Sequence, residues 1–316
     1  MSVCGAARCR GAVRSILQQN RAVCSHTSGS AVEGIREKLQ AFSGGSVELQ
    51  KQRDSGVALL TLNNPARMNA FSGSMMLELE QRVRELETWT EGKAVIVQGA
   101  AGTFCSGSDL NAVRAIANPH DGMKMCEFMQ NTLTRLLRLV FLKKSRSEPS
   151  RHQGLPLISV ALVEGRALGG GAELTTACDF RLMTSDGVIQ FVHKHMGLVP
   201  GWGGAARLVR IVGSQNALKL LSGAKKVDPD FGKQMGLVDE VLHCSSGEGN
   251  ALAHAEQWLS PFIKGPAPVI QAVKRVVVSG RELPLAEALQ TERSVFGTVW
   301  GGPANLKALA LKPKHK

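Results

Sequence analysis

Residues 155–179 read LPLISVALVEGRALGGGAELTTACD, and this stretch decides the fold class. Its first part, up to Gly165, is an apolar run that is typical of a strand buried on both faces. Three consecutive glycines, Gly169–Gly171, then stand immediately before a predicted helix. Amides at the start of a helix carry partial positive charge, so this turn is predicted to stabilise an anion. A tight packing turn is the alternative interpretation.

The same order of strand, turn-rich loop and helix occurs twice before this stretch. GVALLTLN (56–63) is predicted to be a strand that leads through NNPARMNAFS into a helix from about Ser74. KAVIVQG (93–99) leads through AAGTFCSG into a helix that starts near Asp109. This repeat predicts an α/β core with backbone amides collected at the strand ends. G-x-G-x-x-G and GK[ST] motifs are both missing, so neither a dinucleotide site nor a P-loop is expected.

The patterns divide the chain into three regions. Residues 1–46 are predicted to be a leader and N-terminal extension that is partly disordered, and residues 47–212 are predicted to form the core. Residues 213–316 are predicted to be helical almost throughout, as a cover or an oligomerisation region. Within the core, an amphipathic helix is expected to end near Leu139. Residues 140–154 (VFLKKSRSEPSRHQG) then read as an atypical inserted loop, because they lack a sustained period.

Composition excludes several classes of protein. The 316 residues are 43% apolar and 20% charged, which suits a globular chain. The longest apolar stretch, Leu155 to Val163, has nine residues, whereas a membrane-spanning helix needs about 20. No membrane association is therefore expected. The seven cysteines never occur as CxxC, which predicts reduced thiols and no metal site.

The net charge of +12 is concentrated in two segments. Residues 1–32 carry four arginines and no acid, and residues 140–154 have a net charge of +3, so most of the charge lies outside the predicted core. The remainder is ordinary for a protein that binds a small phosphorylated ligand, and nucleic acid is not expected as a partner. The alternative, an RNA-binding or scaffold protein, remains open because the isoelectric point is about 9.6. The acid-free leader resembles a mitochondrial transit peptide or, alternatively, a disordered leader.

Four motifs together resemble the crotonase, or enoyl-CoA hydratase/isomerase, family. They are NNPARMNAFS (63–72), FCSGSDL (104–110), ALVEGRALGGGAELTTACDFRLMT (161–184) and IQFVHKHMGLVPGWGGAARL (189–208). The resemblance covers roughly residues 47–311, apart from the insertion. It implies an α/β fold, namely a crotonase-like spiral of ββα units with a C-terminal helical region. It also implies a homotrimer or hexamer in which the helical region contacts neighbouring subunits.

The resemblance assigns an oxyanion hole to the backbone amides of Ser106 and Gly170. Such donors suit thioester chemistry, because charge develops on the carbonyl oxygen as the reaction proceeds. The resemblance also makes Glu173 an acid/base carboxylate, although a glutamate at a helix start has a structural explanation in the helix dipole. Asp109 is more simply explained as the cap of the helix that opens at Leu110.

The segment FVHKHMGLVP (191–200) departs from the family pattern. Hydratases and many isomerases of the family carry a second glutamate here, and this chain has no acid in the segment. Water addition is usually carried out by two carboxylates, so hydration is not expected. His193 and His195 are the polar alternatives, able to hold a departing carboxylate or relay a proton, unless they simply face solvent. An enoyl-CoA hydratase or isomerase that uses Glu173 alone remains the alternative.

FSGSMM (71–76) and FGTVWGGPANLKA (296–308) are similar to family members that decarboxylate short branched malonyl-CoA thioesters. The resemblance therefore implies conversion of ethylmalonyl-CoA to butyryl-CoA and CO2, with methylmalonyl-CoA as a secondary substrate. No metal or redox cofactor is implied, since CoA is part of the substrate. The resemblance also implies a cytosolic protein, whereas the leader indicates mitochondria.

Five further positions are expected to bind the acyl-CoA substrate. Arg67 and the Ala70 backbone lie where the family holds the CoA nucleotide and pantetheine, and Arg67 suits a phosphate. Gly107 and Ser108 follow the first oxyanion residue and are expected to line the substrate site. Trp202 is expected to form an apolar wall beside the α-substituent, or else to be a core tryptophan.

Overall fold

The computed structural model describes residues 28–137, 140–141, 152–153 and 156–311 of the chain. Its strands are β1 (Ser46–Gln52), β2 (Val57–Asn63), β3 (Ala94–Gly99), β4 (Val140–Phe141), β5 (His152–Gln153), β6 (Ile158–Val163), β7 (Arg166–Leu168), β8 (Phe180–Thr184), β9 (Val188–Gln190) and β10 (Glu240–Leu242). Its α-helices are α1 (Ser28–Gln40), α2 (Gly73–Glu87), α3 (Leu110–Ala115), α4 (Pro119–Leu137), α5 (Gly170–Thr175), α6 (Gly204–Gly223), α7 (Pro229–Gln234), α8 (Ala251–Leu259), α9 (Ala267–Glu282), α10 (Leu285–Val299) and α11 (Pro303–Ala310). Short 3₁₀ helices cover Pro65–Arg67, His193–Met196 and Ser260–Ile263.

A six-stranded sheet in the order β1-β2-β3-β6-β8-β10 forms the centre of the described chain. β1 runs antiparallel to β2, and the other neighbours are parallel. The apolar sequences of β3 and β6 are explained by burial, since residues 94–97 and 160–163 are all inaccessible to solvent. The predicted α/β core is therefore confirmed.

A second, smaller layer of strands runs beside the large sheet. β7 pairs with β9, and the single bridges Phe71–Ser108 and Cys105–Ala167 extend this layer toward the earlier turns of the chain. The chain passes from the large sheet through the small layer to a helix, as in β6–β7–α5 and β8–β9–α6. These ββα units confirm the expected spiral. β7 and β9 have three residues each, too few for a periodic pattern to reveal them.

α1 packs on the core, although the sequence pattern did not indicate a helix there. Ile35 on α1 is fully buried, and Nη2 of Arg36 lies 2.6 Å from both carboxylate oxygens of Glu80 on α2. The expected N-terminal extension therefore contains a helix that belongs to the folded body. Of the arginine-rich leader, residues 1–32, residues 1–27 lie outside the described residues, whereas α1 begins at Ser28.

The expected boundary between the core and the C-terminal helices falls inside α6. Gly213 has φ 78° and ψ 163°, so α6 consists of two helical segments that meet at a kink. From α7 to α11 the chain is mostly helical, as predicted, and β10 adds one strand to the edge of the sheet. α9 is attached through Lys274, whose buried ammonium pairs with Asp179 just before β8.

The two ends of the predicted insertion are paired with each other. β4 and β5 are antiparallel and form a two-stranded sheet of their own. Residues 142–151, most of the predicted inserted loop, lie outside the described residues.

In the described ranges, no helix combines the length and the apolar character needed to cross a membrane. The His, Cys, Asp and Glu side chains of the same ranges form no group of three or more that could hold a metal ion. The cysteines that the structure describes are free thiols, namely Cys105, Cys126, Cys178 and Cys244.

Candidate active site

The turn after β7 places the amide of Gly170 at the start of α5. Gly169 adopts a left-handed φ of 52°, and the helix begins at the next residue, so the Gly170 amide has no acceptor within the helix. It has no other hydrogen-bond acceptor within the described part of the chain. A Cβ added to Gly107 would lie 3.1 Å from the Gly170 nitrogen. The glycine at 107 therefore leaves room for a carbonyl oxygen to approach this amide.

Glu173 lies one turn further along α5, and it is only 1% exposed. Its Oε2 accepts hydrogen bonds from the amides of Trp202 and Gly204, each at 2.8 Å, and its Oε1 accepts one from Gly201 at 3.3 Å. These amides belong to the turn that opens α6, so the carboxylate lies at the positive end of that helix. Glu173 belongs to α5, but the helix dipole that stabilises its carboxylate is largely the dipole of α6.

The glycines of PGWGG make this arrangement possible. Gly203 has a left-handed φ of 86° at the start of α6, which favours glycine. A Cβ at Gly204 would lie 2.4 Å from Cγ of Glu173. The motif therefore serves to bring three backbone amides onto one buried carboxylate, a function that the sequence analysis did not assign to it.

His193 supplies the remaining hydrogen bond of Glu173. Its Nε2 lies 2.9 Å from Oε1 of Glu173, and its Nδ1 is buried without a hydrogen-bond partner among the described residues. The three backbone amides can only donate, so among the groups that hydrogen-bond to the Glu173 carboxylate in the described part of the chain, His193 is the one that can exchange a proton with it. His195, in the same 3₁₀ helix, is exposed, and its side chain makes no hydrogen bond to Glu173 in the described part of the chain. The structure therefore brings His193, but not His195, to the carboxylate.

Trp202 covers the α5 turn from one side. Its side chain is buried, and a Cβ added to Gly170 would lie 2.6 Å from the indole ring. The indole Nε1 donates to Sδ of Met125 at 3.2 Å, and the ring of Phe71 meets it edge-on at 5.7 Å between centroids. Trp202 is thus a core tryptophan whose ring lies beside the Gly170 amide, and its contact with the α-substituent of a substrate stays a prediction.

The amide of Ser106, expected to be the second oxyanion donor, is engaged within the protein. It donates to the carbonyl of Met68 at 2.9 Å, and the Ser106 hydroxyl donates to the carbonyl of Arg67 at 3.1 Å. A substrate oxygen can reach the Ser106 amide only if the Met68 carbonyl moves away. The physical reason is local, because Met68 and Asn69 both have left-handed backbone angles that turn this loop toward Ser106. The role of Ser106 therefore stays a prediction that requires this rearrangement.

The loop before α2 is fixed by Asn69, a residue that the sequence analysis did not single out. Its side chain is fully buried, its Oδ1 accepts the amide of Asn64 at 2.8 Å, and its Nδ2 donates to the carbonyls of Ala100 and Thr103. These bonds tie the loop after β2 to the loop after β3. No local pattern marks such a residue, because the carbonyls to which its Nδ2 donates lie more than thirty residues away.

The expected CoA-binding residues lie on the same loop. The Ala70 carbonyl accepts Nδ2 of Asn64 at 2.9 Å and keeps a second lone pair for a ligand. Nη1 of Arg67 donates to Asp109 at 2.8 Å, and the Arg67 side chain is 54% exposed, so its role as a phosphate partner stays a prediction. Asp109 also accepts the amide of Asn111 at 2.7 Å, which confirms it as the cap of α3. Ser108 is half-buried and bridges to Phe71 in the small layer.

Cys126 on α4 also lies near the carboxylate. Burial raises the pKa of its thiol, and the negative charge of Glu173 raises it further. A Cβ added to Gly201 would lie 2.6 Å from the Cys126 sulfur. The sequence analysis predicted only that Cys126 is a reduced thiol, so its closeness to Glu173 became visible from the fold alone. Cys105, by contrast, is fully buried, and burial raises the pKa of its thiol to about 12.

Comparison with known proteins agrees with the fold and the site motifs. The model of the enoyl-CoA hydratase/isomerase family matches residues 52–301. A protein of Danio rerio named ethylmalonyl-CoA decarboxylase is 80% identical over 322 aligned positions, which cover 100% of both chains. The Homo sapiens protein of the same name is 56% identical over 304 positions, covering 96% of this chain and 93% of the human one.

Among solved structures, an enoyl-CoA hydratase from Polaromonas sp. JS666 aligns with a TM-score of 0.71. The alignment covers 84% of this chain and 96% of the hydratase. Sequence identity is 23%, so this likeness concerns the fold. The match of the family model over most of the length and the high identity to the animal proteins lead to one conclusion: the chain belongs to the enoyl-CoA hydratase/isomerase family.

Proposed function

We propose that this protein is a carboxy-lyase that converts ethylmalonyl-CoA to butyryl-CoA and CO2, with methylmalonyl-CoA as a secondary substrate. The names of the Danio rerio and Homo sapiens relatives support the reaction. The observation that carries the proposal within the site is the pair formed by Glu173 and His193 beside the Gly170 amide. A histidine stands in the segment where hydratases of the family carry their second carboxylate, which suits decarboxylation better than water addition.

The reaction begins with cleavage of the bond between the α-carbon and the carboxylate. CO2 leaves, and the bonding electron pair moves into the thioester to form an enolate whose charge lies on the carbonyl oxygen. The Gly170 amide donates to that oxygen, supported by the positive end of α5. Removal of one such donor typically costs about 3 kcal/mol in the transition state. The Ser106 amide becomes the second donor once the Met68 carbonyl has moved away from it.

The enolate must then receive one proton at the α-carbon. Glu173 and His193 share a proton across the 2.9 Å between Oε1 and Nε2, so either member of the pair can deliver it. The unpartnered Nδ1 of His193 is the group we assign to the departing carboxylate or to a proton from solvent. This chemistry uses no metal or redox cofactor, and CoA enters as part of the substrate.

Substrate binding is assigned to the loops around this pair. Arg67 holds a phosphate of CoA, and the Ala70 carbonyl accepts from the nucleotide or pantetheine portion. Gly107 and Ser108 lie along the approach to the Gly170 amide. The indole of Trp202 forms an apolar wall for the α-substituent, which favours ethyl over methyl through the larger apolar area that it buries.

Oligomerisation through the C-terminal helices is part of the proposal. α10 exposes Leu285, Leu289 and Phe296, whose spacings place them on one side of the helix, and the exposed Trp300 follows directly after α10. Leu285 is 74% exposed and Trp300 is 66% exposed, and the rings of Phe296 and Trp300 stack at 5.0 Å. A homotrimer or hexamer would cover this surface. Light scattering of the purified protein, with a Trp300→Asp variant as the comparison, tests this part.

We place the protein in the cytosol, as the family resemblance implies, with mitochondria as the alternative suggested by the arginine-rich leader. Fluorescent fusions of the full chain and of a chain that lacks residues 1–32 distinguish the two. Mitochondrial import that depends on the leader would replace the cytosolic assignment.

A substrate panel tests the proposed reaction. The purified chain is incubated separately with ethylmalonyl-CoA, methylmalonyl-CoA and crotonyl-CoA, and CO2 and acyl-CoA products are measured. We expect CO2 and butyryl-CoA from ethylmalonyl-CoA, and slower release of CO2 from methylmalonyl-CoA. In heavy water, the butyryl-CoA product should carry one deuterium at its α-carbon. Hydration of crotonyl-CoA without CO2 from ethylmalonyl-CoA would establish a hydratase instead. A chain that lacks residues 1–32 and 140–154, is inactive on every thioester and binds RNA tightly at physiological salt would establish an RNA-binding protein.

A further inference from the structure

Arg207 on α6 joins the segments that surround Glu173. Its Nε donates to Oγ1 of Thr176 at 3.0 Å. Its Nη2 donates to the backbone carbonyls of Glu173 at 3.2 Å and Trp202 at 2.9 Å. Thr176 and Glu173 belong to α5 and its end, whereas Trp202 belongs to the turn before α6. One planar group therefore connects the helix that carries the carboxylate with the turn that supplies its amide donors.

The surroundings of the guanidinium leave it little freedom. Arg207 is buried, and a Cβ added to Gly203 would lie 2.7 Å from its Nη1, so the turn passes directly over it. The hydroxyl of Thr176 also donates to the Glu173 carbonyl at 2.6 Å, which closes a small network behind the carboxylate. Such a network requires the fixed fork of an arginine, because a lysine has a single nitrogen at the end of a flexible chain.

We propose that Arg207 is a positioning residue that holds the turn of residues 201–204 against α5 and thereby fixes the Glu173 carboxylate relative to His193. The proposal rests on the proposed function, since the role of Arg207 is to keep the proton-sharing pair in place. Arg207 contacts the backbone on both sides of the carboxylate and acts through Glu173. In the described part of the chain, the charged and titratable groups next to Glu173 include His193 from the 3₁₀ helix, Arg207 from α6 and Cys126 from α4.

Two variants test this role without removing the buried charge. Arg207→Lys keeps the charge and loses the fork, and Thr176→Val removes one acceptor at nearly constant volume. We expect each to lower kcat for ethylmalonyl-CoA by about 10- to 100-fold, since small misplacements of reacting groups have effects of this size. KM should stay within about threefold, because the CoA contacts lie on other loops. Arg210→Met is the matched control, since Arg210 is on the same helix and pairs with Glu282 away from Glu173.

A measurement that does not depend on turnover accompanies the kinetics. The amide protons of Trp202 and Gly204 donate to a carboxylate, so their NMR resonances should lie downfield and should move upfield in Arg207→Lys and Thr176→Val. Arg210→Met should leave them unchanged. Wild-type kcat and wild-type amide shifts in both folded variants would overturn the proposal. A lower melting temperature with unchanged kcat per folded molecule would show that Arg207 only stabilises the fold, and this result would also overturn the proposal.

The same data separate this proposal from the proposed function. If the wild-type protein releases no CO2 while the amide resonances still respond to Arg207→Lys, the decarboxylase assignment fails and the positioning role stands. If CO2 release is normal in the wild type and in both variants, the positioning role fails and the decarboxylase assignment stands.

Discussion

A methyl group added to Gly170 would lie 2.6 Å from the indole ring of Trp202. Position 170 therefore needs glycine for a steric reason, because its α-carbon is covered by an aromatic ring, and its amide is also the donor that we propose for the enolate oxygen. The ring cannot easily withdraw, since Phe71 contacts it edge-on and Met125 accepts its N–H. Steric and hydrogen-bonding effects at this position can be separated by choosing the substituent.

Gly170→Pro removes the N–H assigned to the enolate oxygen and adds a Cβ against Trp202, whereas Gly170→Ala adds the Cβ but keeps the N–H, so the difference between the two variants isolates the hydrogen bond. We expect the proline variant to lose about 100- to 1,000-fold in kcat, the typical effect of one oxyanion donor. The alanine variant should lose less, and Trp202→Leu in that background should restore part of the rate by making room. CO2 release per folded molecule, with folding checked by circular dichroism, is the measurement. Unchanged decarboxylation by a folded Gly170→Pro protein would refute the oxyanion assignment.

Glu173→Ala should retain CoA binding and lose most turnover. The carboxylate is proposed to take part in proton delivery, whose contribution is typically about 100- to 10,000-fold, whereas affinity arises at Arg67 and Ala70. The variant should also be less stable, since it leaves three buried amides without their acceptor, at about 1–3 kcal/mol for an unsatisfied group. Glu173→Gln preserves the shape and separates the two effects. Calorimetry with butyryl-CoA measures binding, and near-normal kcat in either variant would remove Glu173 from the mechanism.

Features that depend on local sequence were predictable. The buried parallel strands of the central sheet are recognisable in the sequence as apolar runs, because both of their faces are covered and favour apolar residues. Asp109 was identifiable as a helix cap because the bond from its side chain reaches only two residues along the chain. The helix start at Gly170 was identifiable because three consecutive glycines precede a helical pattern. In each case the residues that interact are neighbours in sequence.

Contacts between segments that are distant in the sequence were not predictable from the residues themselves. The amides of Gly201, Trp202 and Gly204 donate to a carboxylate about thirty residues earlier in the chain, and the sequence PGWGG does not indicate which group they will bind. The two histidines are alike in sequence, and only the 3₁₀ helix decides that His193 turns inward while His195 stays exposed. The engagement of the Ser106 amide by Met68 likewise follows from two left-handed residues in a loop that has no periodic pattern.

The two histidines form a matched pair for mutagenesis. His193→Asn removes the group that shares a proton with Glu173, and we expect a loss of about 100-fold or more in kcat. His195→Asn changes an exposed side chain in the same 3₁₀ helix and should leave kcat within about twofold, since exposed substitutions away from special features have small effects. Steady-state kinetics on ethylmalonyl-CoA compares them. Equal losses in both variants would show that the segment, rather than His193, matters.

The reactivity of Cys126 reports the charge of Glu173. Burial and the Glu173 charge both raise the pKa of this thiol, so the reactive thiolate is scarce at neutral pH. Glu173→Gln removes the negative charge, lowers the pKa of the thiol and should speed alkylation by iodoacetamide at pH 8. Glu127→Gln, an exposed carboxylate beside Cys126 in sequence, should have little effect. Mass spectrometry of the peptide that contains Cys126 follows the rate, and equal rates in all three proteins would contradict this account.

The segment at residues 140–154 can be examined by deletion, because the strands at its two described ends pair with each other and not with the core sheets. β4 and β5 have two residues each and make a sheet separate from the two layers of the core. An isolated two-stranded ladder is at best marginally stable in water. α4 ends at Leu137 and β6 begins at Ile158, so the elements on either side remain intact when the segment is removed.

We therefore expect the chain without residues 140–154 to be at least as stable and as active as the full chain. Extra residues in a surface loop add little closure entropy, since doubling a loop costs only about 0.6 kcal/mol, so the full chain also folds. The expected gain lies in the site, because β6 leads through β7 directly to Gly170, so a change in the chain before β6 can alter the position of that amide. Melting temperature and CO2 release from ethylmalonyl-CoA compare the two chains. A clear drop in either on deletion would show that the segment is an integrated part of the protein.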